Sequence, residues 1–224
     1  MWGRLAAEVV ASALVVLASF LSGAVQVQLG AASALGSIAA AITLGFAYGI
    51  VVWTFGPRGA QITPWITALW GGLGNGPWRW VFGRVGAQML GAAVAAVAIR
   101  LGHGEAAPLV AAAAPGATTM LREAAGSFLL VLVALGVGHR RDARVPLAVG
   151  ASACASLFMT GVASAGNPLV VLAVAATGLP ARCGFALLGQ VLGVGAAVAL
   201  ALCLFPWWRT SAASLLFTPR PPAR

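Results

Sequence analysis

The chain has 224 residues, of which 61% are hydrophobic and only 8% charged. Soluble domains carry roughly 25% charged residues, so an ordinary water-soluble fold is excluded and lipid is the expected surrounding. The net charge of +9 comes from arginines spread between apolar segments, which leaves no basic patch of the kind that binds nucleic acid.

A membrane-spanning helix needs about 20 apolar residues. Six stretches meet that requirement, at about 6–29, 33–55, 80–101, 118–137, 146–162 and 181–204. No small-residue cleavage site follows an early short apolar stretch, so no removable signal peptide is expected. Two further apolar stretches, 64–73 and 168–177, are too short to span, and each lies at a proline, Pro64 and Pro168. Arginine placement sets the expected orientation. With the N-terminus inside, Arg4, Arg58, Arg79, Arg84, Arg140, Arg141, Arg144, Arg209, Arg220 and Arg224 are cytoplasmic, against Arg100, Arg122 and Arg182 outside. Trp78, Trp80 and Trp207-Trp208 then lie at the cytoplasmic interface, and the Pro/Arg-rich tail at 209–224 is expected to be disordered.

The two halves share a pattern. "AAEVVASALVVL" carries Glu8 and "LREAAGSFLLVL" carries Glu123, 115 residues later. "AQMLGAAVA" carries Gln88 and "GQVLGVGAAVA" carries Gln190, 102 residues later. Thr63-Pro64 and Asn167-Pro168 are 104 residues apart. Three spans per half is an odd number, so the second half must enter the membrane from the opposite side. The expectation is an inverted 3+3 repeat: residues 1–102, a linker at 103–117 on the outside, and residues 118–208. Such repeats place their functional site near the midplane, where broken helices meet.

Non-helical backbone at membrane depth survives only where protein buries it or it lines a watery cavity. Asn is a preferred N-cap and Pro a preferred first helical residue, and Thr caps as well. The segments 56–73 and 161–177 therefore read as re-entrant loops, each ending in a half-helix. The fold class expected is an all-α membrane protein of six transmembrane helices plus two re-entrant half-helices. Each helix N-terminus carries roughly half a positive charge. Two meeting in a pore repel cations while their N–H groups orient neutral polar solutes.

Six spans, an inverted repeat, a glutamate opening each half, "FGPRGAQITPWIT" and "GNPL" resemble the major intrinsic protein family, the aquaporins and aquaglyceroporins, over roughly residues 4–205. With "GHRRDARVPLAVGA", the chain looks most like an actinobacterial-type branch often associated with arsenic-resistance genes. The resemblance implies a bacterial plasma-membrane channel, a homotetramer with one pore per subunit and cytoplasmic termini. It implies that Thr63, Pro64, Trp65, Asn167, Pro168 and Leu169 form the pore midpoint. It places the outer filter at Leu44, Ala155, Ser164 and Val170. It makes Glu8 and Glu123 the acceptors that hold the loop backbones, in preference to proton-transfer groups. Gln88, Gln190 and Gln61 are placed with them as loop-bracing residues.

The chain departs from the family pattern at several of these positions. Thr63 stands for the first Asn, Trp65 for the Ala after the proline, Gln61 for the His, and Leu169 and Val170 for the second motif's Ala-Arg. Losing that Arg removes a cation and up to five donors, which predicts a wide, apolar filter. Polyols, urea, peroxide, gases and metalloid hydroxides such as arsenous acid then become candidate solutes beside water. Trp65 and Leu169 either pack between the half-helices, replacing the missing amide contacts, or narrow and close the pore.

Cys154, Cys183 and Cys203 show no metal-ligand spacing and read as small core residues, while His103 and His139 read as loop residues. Arg140, Arg141 and Arg144 fix topology and meet anionic lipid headgroups. No nucleophile–base pair, phosphate loop or paired carboxylate is present, so neither an enzyme nor a cofactor is expected. The expected function is a passive channel for water or small neutral solutes. The alternatives are a non-conducting or gated protein of the same fold with a structural or interaction role, and an ion-driven transporter, which would need an intramembrane carboxylate beyond Glu8 and Glu123.

Overall fold

The computed structural model describes residues 2–74, 76–103, 116–137, 144–161, 164–176 and 183–205. Most of the 103–117 linker, His139, Arg140, Arg141, Arg182, Trp207-Trp208 and the 209–224 tail lie outside them. The described residues form eight α-helices: α1 (Trp2–Gln28), α2 (Ala34–Phe55), α3 (Pro64–Gly72), α4 (Trp78–His103), α5 (Ala117–Val137), α6 (Arg144–Thr160), α7 (Pro168–Ala176) and α8 (Cys183–Leu204). All eight coincide with the apolar stretches, to within a few residues at each end. Helices α1, α2, α4, α5 and α8 are long and apolar enough to cross a membrane. Helix α6 is apolar but shorter, at 17 residues. The chain is an all-α protein of membrane type.

Local chemistry explains where the helices break. Ser33 caps α2, its hydroxyl accepting from the Gly36 N–H at 2.8 Å. Pro57 ends α2 by starting a 3₁₀ turn over Gly56–Arg58. Pro64 and Pro168 are the first residues of α3 and α7, the position where a missing N–H does no harm.

Packing pairs α1 with α4, α5 with α8, and α2 with α6, while α1 also packs on α2 and α5 on α6. The α1/α4 and α5/α8 pairs are matched in detail. A Cβ on Gly91 would lie 2.2 Å from the Val9 carbonyl oxygen, and one on Gly193 would lie 2.1 Å from the Ala124 carbonyl oxygen. Val9 and Ala124 are 115 residues apart and the glycines 102, the spacings of the glutamates and glutamines. Small residues at such crossings let helices approach closely without a large apolar driving force.

Size and polarity are distributed as lipid demands. Phe46, Phe82 and Leu147 face outward, about 70% exposed. Ala11, Ala40, Ala41 and Ala95 fill the interior beside Glu8, Gln88, Asn167 and Gln190, all essentially unexposed. One expectation is corrected. Cys203 is exposed on α8 and so is no core residue, while Cys154 does pack against the main core and Cys183 is half-buried. Arg84, counted only as a cytoplasmic-side charge, is buried, because its guanidinium finds the Glu8 carboxylate inside the bundle.

Gly193→Val is expected to destabilise the protein by about 1–3 kcal/mol or more through overpacking, seen as a lower Tm in detergent. Gly195→Val, on the same helix but with open space at its Cβ position, leaves Tm nearly unchanged.

Candidate functional site

Glu8 sits on α1 where no solvent reaches, so its carboxylate needs protein donors. It has four. Oε1 accepts from the Gln61 N–H at 2.9 Å and from Arg84 at 3.3 Å. Oε2 accepts from the Ile62 N–H at 3.2 Å and from the Gln88 amide at 3.0 Å. The loop before α3 is thus hung by its backbone from a helix carboxylate. Arg84 ties it further, donating to the Gly59 carbonyl at 2.7 Å and lying 5.1 Å above the Trp70 ring. Gln88 also donates to Thr67 on α3 at 2.8 Å.

Glu123 does the corresponding work on α5. Its Oε2 accepts from Ser164 at 2.6 Å and from Gln190 at 2.8 Å. Ser127, one turn on, donates to the carbonyls of Glu123 at 2.9 Å and Gln190 at 3.1 Å. The loop before α7 presses on this turn: a Cβ on Gly166, whose φ is +74°, would lie 2.3 Å from the Ser127 Cα. Only glycine fits there.

Two bonds join the two assemblies. Asn167 donates through Nδ2 to the Ile62 carbonyl at 3.0 Å, and its Oδ1 caps α7 by accepting from the Leu169 N–H at 3.1 Å. Trp65 donates through Nε1 to Gln190 Oε1 at 3.1 Å. The structure therefore shows Trp65 as a packed cross-link between the first half-helix and the second glutamate's bracing glutamine. Leu169 is wholly buried in the main core. Pro64 and Pro168 occupy their helix starts as expected. Thr63 does not cap as expected: it holds the N-cap position in extended conformation, but its hydroxyl bonds to no backbone N–H. Gln61 braces the loop through its backbone, not its side chain.

Of the four filter positions, Leu44 and Val170 lie in one buried cluster. The Ser164 hydroxyl is turned to Glu123 and its carbonyl meets Tyr48 at a long 3.5 Å. Ala155 is half-buried on α6. None of the four carries a charge.

Several residues that matter here escaped the sequence reading. Arg84 is one, and the clue was its place four residues before Gln88, one helical turn away and on the same face. Thr67 and Ser127 are others, each one turn beyond a motif residue. Ile62 gave no signal: it is β-branched yet sits at φ +55°, a conformation such side chains rarely adopt. Among the described residues no group of three His, Cys, Asp or Glu could hold a metal ion.

Breaking a buried ion pair from one side costs about 3–5 kcal/mol. Arg84→Gln is expected to lower unfolding stability by about that amount, and Glu8→Gln in the same chain to recover part of it. A double-mutant cycle by chemical unfolding in detergent measures the coupling; additive effects would mean that the pair is not formed. No protein-family model matches the chain, and no curated protein matches it significantly.

Proposed function

We propose that the chain is a passive channel for water or small neutral solutes, of aquaporin type. In this reading α6 joins the five longer helices as a sixth span, and the halves form an inverted 3+3 repeat with α3 and α7 as its re-entrant half-helices. The observation that carries it is the Asn167–Ile62 bond, which ties the start of α7 to the residue two before Pro64 inside the bundle. Two helix N-termini brought together there give a positive midpoint that rejects cations and protons. Backbone away from helical geometry inside such a bundle survives where protein buries it or where it lines a watery path, and the channel reading takes the second.

The uncharged set Leu44, Ala155, Ser164 and Val170 supports selection by size and polarity without a fixed cation. That suits polyols, urea, peroxide, dissolved gases and metalloid hydroxides such as arsenous acid. Plasma-membrane insertion with both termini cytoplasmic, and a homotetramer with one pore per subunit, belong to the same proposal.

A second reading, a non-conducting or gated protein of this architecture, is favoured by one observation. At the midpoint Asn167 and Leu169 have no exposed surface and Thr63 has 2%, while Pro64 and Trp65 are half-buried; at the filter Leu44 has none and Val170 3%. A path walled this tightly passes water only after a rearrangement.

Reconstituted liposomes followed by stopped-flow light scattering separate the two. The channel reading expects water or glycerol flux, or arsenite uptake, well above empty vesicles. Flux no higher than the lipid's own for any of the three rejects it in favour of the non-conducting reading. Trp65→Ala removes both the bulk at the midpoint and the Gln190 link, and is expected to raise flux severalfold in the same assay.

A further inference from the structure

The two glutamate assemblies differ in how completely they are satisfied. In the second, Gln190 has both amide ends engaged, Nε2 with Glu123 and Oε1 with Trp65, and Ser127 bonds the Gln190 carbonyl. In the first, the matched atoms are orphans. Gln88 Oε1 and Ser12 Oγ have no hydrogen-bond partner, and neither has either end of the Gln61 side-chain amide. Ser12 and Ser127 are 115 residues apart, the spacing of Glu8 and Glu123. Gln61 is 2% exposed, and Ser12 and Gln88 are wholly buried. Buried polar groups in folded proteins are almost always partnered, and leaving one bare costs as much as a lost hydrogen bond or more.

Two of these residues touch one carboxylate. The Gln61 backbone and the Gln88 side chain both donate to Glu8, and Ser12 is one turn beyond Glu8 on the same face of α1. What they offer is mixed: two carbonyl oxygens, a hydroxyl and an NH₂ group. A ligand that satisfies them must both donate and accept. A cation only accepts electron pairs and leaves the NH₂ bare. Arg84, at 3.3 Å from Glu8, already supplies the positive charge this carboxylate calls for. A neutral donor–acceptor such as water matches that set.

We propose that the first half holds ordered water at an internal site behind the α3 loop, bound by Gln61, Gln88 and Ser12. Buried waters of this kind make about three hydrogen bonds each, which the available atoms supply. The water completes the support of the first loop where the second loop uses Trp65 and Ser127. The site does not depend on conduction, so its test is independent of any flux.

The test uses the full-length protein in detergent or nanodiscs. A water-resolving crystal or cryo-EM structure is expected to show ordered density about 2.7–3.2 Å from the Gln61 amide and from Gln88 Oε1. Bare atoms there would overturn the proposal. Gln61→Met keeps the length and removes the polar ends. Loss of bound water is expected to lower Tm by about 2–4 °C; an unchanged or raised Tm means a dry pocket and overturns the site. Replacing potassium by sodium at constant ionic strength is expected to leave Tm unmoved, and a shift would assign the site to a cation instead. Should Gln61→Met fail to fold, the density in the unmodified protein decides.

Discussion

Everything around the centre of this molecule depends on how the peptide groups of Ile62 are satisfied. Ile62 lies in a loop that is not helical, inside a bundle of apolar helices, at a positive φ that strains a β-branched residue by about 1–3 kcal/mol. Its N–H goes to Glu8 and its carbonyl receives Asn167. One strained residue is therefore clamped from α1 on one side and from the start of α7 on the other. Remove either clamp and a backbone polar group is left without a partner where water is scarce, which is the condition that lipid-embedded structures avoid most strictly.

The same constraint explains why the interior is built from carboxylates and amides rather than from bulk. A short half-helix cannot hold its place by burying a long apolar stripe. It has to be tied by its ends. Glu8 and Glu123 supply acceptors from full-length helices, and Gln88 and Gln190 relay donors from α4 and α8. The glycines at 91 and 193 let those helix pairs close until the amides reach the carboxylates. Close packing and polar anchoring are two parts of one solution.

The helices were legible in the sequence because lipid imposes a long apolar run, and the two short runs announced themselves with Pro64 and Pro168. The paired glutamates and glutamines were legible because they recur at fixed offsets. Their partners were not. Arg84 lies near the end of an apolar run, where an arginine ordinarily snorkels to the headgroups; only the third dimension shows Glu8 within 3.3 Å of it. The resemblance placed Ser164 among the filter residues, and nothing in the sequence told that its hydroxyl donates to Glu123 at 2.6 Å. Trp65 gave no sign in the sequence of its partner, and the structure shows its indole N–H donating to Gln190 Oε1. Side-chain direction is set by packing, and a one-dimensional pattern does not carry it. Cys203 makes the same point: its composition suits a core, but its register on α8 turns it outward.

The two halves reach similar geometry by different chemistry, and the difference follows from two positions. In the second half Asn167 caps its own helix and Gly166 takes a positive φ without strain, next to Ala165 at φ +47°, which lacks the branched Cβ of Ile62. In the first half Thr63 leaves the helix start uncapped, and Ile62 takes a positive φ at a cost. The first loop therefore needs more from its surroundings. It receives an ion pair, a guanidinium on the Gly59 carbonyl and a Thr67–Gln88 bond. An arginine in that role holds by charge, which reaches further and tolerates looser geometry than a neutral hydrogen bond. A loop held this way keeps its position with amide and hydroxyl groups beside Glu8 that no protein atom partners, the groups to which the proposed water is assigned.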